Sequence, residues 1–175
     1  MSRLTVGSIE GLTENSNVIS VPTGHKLNVT DAAGLQIGGT ALGTAVAFTP
    51  TWSSGFTAGN AIQEWYYTQI GDIVIVDGKT SLGSTSAVSS VPIMTLPVTR
   101  DNYEGSIHKL GFGSFGDSGT ATYQVTIIAT SATNAIFFSQ NASVTYLKEG
   151  SVSATVPFTW TTNDFIGGTM IYKAA

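Results

Sequence analysis

From residue 47 onward apolar and polar positions alternate with a period of two, the signature of half-buried strands. The runs are AFTPTW (47–52), IQEWYYTQI (62–70), DIVIVDGKTSL (72–82), VPIMTLPV (91–98), SIHKLGF (106–112), ATYQVTIIAT (121–130), AIFFS (135–139), SVTYL (143–147), SATVPFTW (153–160) and GTMIYKA (168–174). Turn formers punctuate them in GSTS, RDNYEG, GDSG, SATN, LKEG and TTNDFIGG. No segment carries a sustained apolar period of about 3.6 residues with helix caps. Parallel α/β architecture is therefore excluded for want of crossover helices. The pattern predicts an all-β chain whose residues 46–175 form an antiparallel β-sandwich or jelly-roll-like domain.

Residues 1–45 read differently. In SNVISVPTGHKLNVTDAAGLQIGGTA (16–41) three apolar pairs, Ile19 and Val21, Leu27 and Val29, Leu35 and Ile37, recur at a spacing of eight residues. These six side chains are too few to offset the conformational entropy of ordering the segment that carries them. The arm is expected to be ordered only by sharing its burial, with its own copies around a common axis or along a neighbouring protein. A flexible linker is the plainer alternative, and the repeated alternation argues against it.

Composition sharpens this picture. Charged residues make up 10% of the 175 residues, and the net charge is −4 with a pI near 4.9. Lys and Arg are scattered singly, so no basic patch for nucleic acid is expected. No apolar stretch approaches a membrane span or a signal-peptide core, and export by another route is expected if the protein leaves the cytoplasm of its origin. The chain holds no cysteine, which removes disulfides, thiolate metal ligands and a cysteine nucleophile. The sequons at Asn28 and Asn141 carry no weight in so Thr- and Ser-rich a chain.

Candidate chemistry is sparse. His25 and His108 are the two imidazoles, and neither has a second ligand at metal-binding spacing, so no metal is expected. His25 in PTGHK reads as a solvated turn residue. His108 with a serine and Asp72, Asp101 or Asp117 would supply the parts of a triad, yet no nucleophile elbow marks one. GFGSFG matches a dinucleotide fingerprint through Gly111, Gly113 and Gly116, but a strand pattern follows where a helix is required. It reads instead as a flexible β-loop, and no cofactor is expected. Tyr103, His108, Phe112 and Phe115 around that loop form a candidate ligand-contact surface for sugar or protein. The competing reading, which the pattern favours, tucks both Phe rings into the sandwich. The eleven acids are dispersed, so the paired carboxylates of a polysaccharide-degrading enzyme have no support, and no catalytic residue is assigned.

The arm just quoted resembles the N-terminal parts of short tail-fibre, head-fibre and decoration proteins of tailed bacteriophages, particularly those of marine and cyanobacterial hosts. The body is similar to a recurring C-terminal domain of such proteins through FTPTW (48–52), GNA (59–61), YTQIGD (67–72) leading into IVIV, LGSTS (82–86), TLPV (95–98), FTW (158–160) and IY (171–172). The resemblance spans nearly the whole chain and implies a non-enzymatic virion component, often a homotrimer. Expected partners are its own copies, other virion proteins of capsid, neck or tail, and a host-surface glycan. The chain is short for a long tail fibre and lacks a shaft, so a compact knob or decoration protein anchored by residues 1–45 is the form expected.

Overall fold

In the computed structural model the described residues are 23–24, 36–37, 40–41, 43–101, 108–141 and 148–175. They hold strands and turns and no helix, so the all-β antiparallel class stands. β1 (Gln36–Ile37) and β2 (Thr40–Ala41) form a two-residue hairpin ladder by themselves. The main sheet comprises β3 (Val46–Phe48), β4 (Trp52–Thr57), β5 (Ile62–Ile70), β6 (Ile73–Ser81), β7 (Ala87–Thr95), β8 (His108–Asp117), β9 (Ala121–Ala129), β10 (Asn134–Asn141), β11 (Lys148–Gly150) and β12 (Phe165–Lys173). Its hydrogen-bonded order is β3-β5-β6-β12-β8-β9-β10-β7-β4, with β11 added to β10.

The sandwich-like core arises because this single path curls onto itself. β3 and β4 end the path on opposite sides, yet only Thr49, Pro50 and Thr51 separate them in the chain. Pro50 has no N–H to give a ladder, so AFTPTW, expected as one strand, breaks into two that serve opposite edges. The Trp52 indole N–H donates to the Gln63 side-chain oxygen at 2.8 Å, tying β4 to β5 across the gap. The curl brings Phe137 of β10 within 6.3 Å of Trp65 of β5 and 5.8 Å of Trp52, measured between ring centroids. Trp65 is buried, and its N–H meets the equally buried Thr80 hydroxyl at 2.9 Å, so neither polar group is stranded.

Glycine places the bend. Gly78, Gly168 and Gly113 are successive register partners across β6, β12 and β8. A Cβ on Gly113 would overlap the Gly167 carbonyl, and one on Gly78 would overlap backbone of β5. The strands thus approach more closely here than side chains permit, which lets the sheet coil sharply. GFGSFG is therefore the interior of β8 and not the loop expected from its glycines.

SATVPFTW, expected as a strand, is a folded-back turn with a Val156–Pro157 cis peptide and an isolated Ser153–Val156 bridge. The Trp160 indole N–H donates to the Ser153 carbonyl at 3.1 Å, and the segment packs Phe158 against Tyr123 and Trp160 against Phe115. It closes one end of the core. SVTYL lies outside the described residues. A buried carboxylate, Asp164, fastens this end: it accepts the Ser118 N–H at 2.9 Å together with the N–H and hydroxyl of Thr161. The Asp164 carbonyl accepts the Leu82 N–H at 2.7 Å.

Candidate functional site

The sequence candidates disperse once the strands pair. Ile19, Val21, Leu27, Val29, Leu35 and Tyr103 lie outside the described residues, and Ile37 falls in β1 opposite Thr40. His108 opens β8 opposite Ala129 and is half-buried, with Asp117 at the other end of the same strand. Asp101 is engaged by Lys173 at 2.8 Å, and Asp72 sits in the exposed β5–β6 turn. Among the described residues no three His, Asp or Glu side chains cluster as metal ligands would.

The two phenylalanines part company. Phe115 is 0% exposed, packed edge-on to Trp160 at 5.1 Å, and has no face for a ligand. Phe112, three residues away on the opposite face, is 53% exposed with the Lys109 ammonium 5.1 Å above its ring. The expected contact loop thus reduces to one outward ring held on a strand, because alternation sends successive side chains to opposite faces.

That ring belongs to a larger surface. Strand pairing aligns Tyr66, Asp77, Thr169 and Phe112 in one row across β5, β6, β12 and β8. The next row is Thr68, Ile75 and Ile171, and the third is Ile70, Ile73 and Lys173. Every one of these outward residues is exposed or half-exposed, and Ile171 is 56% exposed. The inward partners Val74, Val76, Met170 and Tyr172 fill the core. IVIV in β6 therefore has valines on the inside and isoleucines in water. An unbroken apolar run is normal for a strand buried on both faces, whereas a sheet with one solvated face alternates apolar with polar. The run is visible in the sequence, and the significance of its second apolar phase emerges only when the first phase is seen to fill the core.

No family model, curated protein or solved structure matches the chain. Isolated exposed apolar residues are ordinary, whereas this group is contiguous on one face of the sheet.

A second feature is a shallow open groove of about 560 Å³ beside β10, lined by Tyr123, Gln140, Asn141, Ser151, Val156 and Pro157. It joins an aromatic ring to amide and hydroxyl groups.

Proposed function

We propose that this chain is a structural component of a tailed-phage particle, a compact knob or decoration protein that works through its surfaces and carries out no reaction. Residues 1–45 attach and assemble it, in a homotrimer or along a neighbouring capsid, neck or tail protein, and residues 46–175 form the body presented on the particle. The observation that carries this reading is the solvent-facing apolar sheet around Ile75 and Ile171 on a body whose candidate catalytic residues are dispersed. The ordered series of motifs that resembles virion proteins supplies the particle.

Purified particles from cells expressing the parent chain should contain it, and particles from cells expressing a chain without residues 1–45 should not. Its absence from particles in the first case would overturn the reading.

Host-glycan contact is the second reading, and the groove at Tyr123, Gln140 and Asn141 favours it over the Phe112 and Phe115 pair. A glycan array probed with the parent and with Tyr123→Ala distinguishes the two sites. Equal binding by both proteins would remove the groove from consideration.

A further inference from the structure

We infer that the outer face of β5, β6, β12 and β8 is a contact between two copies of this chain, isologous and centred on Ile75 and Ile171. The inference rests on the reading of the chain as a protein that works through its surfaces, and is independent of the particle it joins.

Tyr66, Ile70, Ile73, Ile75, Phe112 and Ile171 are each 38–56% exposed. At roughly 150–200 Å² for a side chain of this size, they present about 500 Å² of apolar surface. The largest apolar patch on an ordinary monomer is about 300–600 Å² and often functional, and a standard interface buries about 800 Å² per partner. Asp77 and Thr169 lie between Tyr66 and Phe112 in the first row, so the apolar centre is Ile75 and Ile171 with Ile70 and Ile73, bordered by Asp77, Thr169, Thr68 and Lys173.

Charge placement chooses the occupant. Asp77 and Lys173 stand at diagonally opposite corners of the isoleucine row, one on β6 and the other on β12. A two-fold axis lying in the contact plane, perpendicular to the line joining those corners, sets Asp77 of each copy over Lys173 of the other, while Ile75 and Ile171 meet in the middle. Asp77 is oriented for this by the Thr169 hydroxyl, which donates to its carboxylate at 2.6 Å. Lys173 holds Asp101 at 2.8 Å, so Asp77 of the second copy joins an existing ion pair.

Cysteine trapping tests the geometry cleanly, since the chain has no native thiol. Asp77→Cys and Lys173→Cys are made separately in the full chain, mixed and mildly oxidised. Within one chain the two positions cannot bridge: Asp77 faces Thr169, four residues short of Lys173, and that offset is about 13 Å against a disulfide limit near 7 Å. The mixture should give the heterodisulfide between positions 77 and 173 as its main cross-linked species, above either homodisulfide. Ile171→Glu should weaken association at least tenfold with an unchanged circular dichroism spectrum, and Asp77→Lys should weaken it while Asp77→Lys with Lys173→Asp restores it. A parent chain that stays monomeric at micromolar concentration, or homodisulfides alone, would overturn the inference. None of those results bears on whether the chain is found in particles, so the two readings fail separately.

Discussion

Replacing Asp164 by asparagine removes one charge and changes one oxygen for an N–H₂ group, and the structure makes that small change costly. The carboxylate is 0% exposed and accepts from the Ser118 N–H, the Thr161 N–H and the Thr161 hydroxyl through its two oxygens. An amide retains one acceptor and points donors at a backbone N–H that already needs an acceptor. The loss is one charge-assisted hydrogen bond, about 1.5–3 kcal/mol, together with a stranded buried donor at about 1–3 kcal/mol. A net destabilisation of about 3–4 kcal/mol is expected, which for a chain of this size lowers Tm by about 8–12 °C. Thermal and urea unfolding followed by tryptophan fluorescence provide the assay, with Trp160 reporting from the same turn. Asp72→Asn, in an exposed turn, serves as the control and should stay within about 0.5 kcal/mol of the parent. If Asp164→Asn is as stable as that control, the carboxylate does not fasten the end of the sandwich.

Three further outcomes are expected. Gly113→Val should abolish soluble folded protein, because its Cβ would occupy the position of the Gly167 carbonyl; a variant with the parent's spectrum and Tm would show that the glycine row does not set the bend. Thr80→Val leaves the Trp65 indole N–H buried without its 2.9 Å acceptor and should cost about 1–3 kcal/mol in urea unfolding, so a neutral result would count against that pair. Burial pushes the Tyr172 hydroxyl up to about 12 from its ordinary 10.0, against the opposing hydrogen bond at Val98. The unfolded chain therefore loses this proton first, and stability should fall by about 1 kcal/mol per pH unit between those two values; Tyr172→Phe should flatten that part of the profile, and an unchanged slope would refute the assignment.

Local alternation made much of the fold legible. IQEWYYTQI is β5 over its whole length, and DIVIVDGKTSL contains β6 with one residue to spare at each end. The failures have local causes. GFGSFG looks like a loop because glycine lowers strand propensity, but here it is the absence of side chains that lets β8 lie so close to β12. SATVPFTW has the right alternation, yet its chain turns at Ala154 and Thr155, between the bridged Ser153 and Val156, and is held by the Trp160 indole. Strand order was beyond reach of the pattern, since pairing is non-local: β12, last in the chain, inserts between β6 and β8 at the middle of the sheet. The site was legible only in part. The loop pattern marks Phe112 and Phe115 alike, although only Phe112 faces solvent. Ile75 and Ile171 pass for core residues because the sequence does not say which phase of an apolar run faces inward.

The proposed assembly is tested most directly on purified particles. A cryo-electron microscopy map of purified particles should show the β-body on the exterior, with Ile75 and Ile171 of one copy covered by the same face of another. A map in which that face is open to solvent on every copy, or in which the protein is missing, would contradict it.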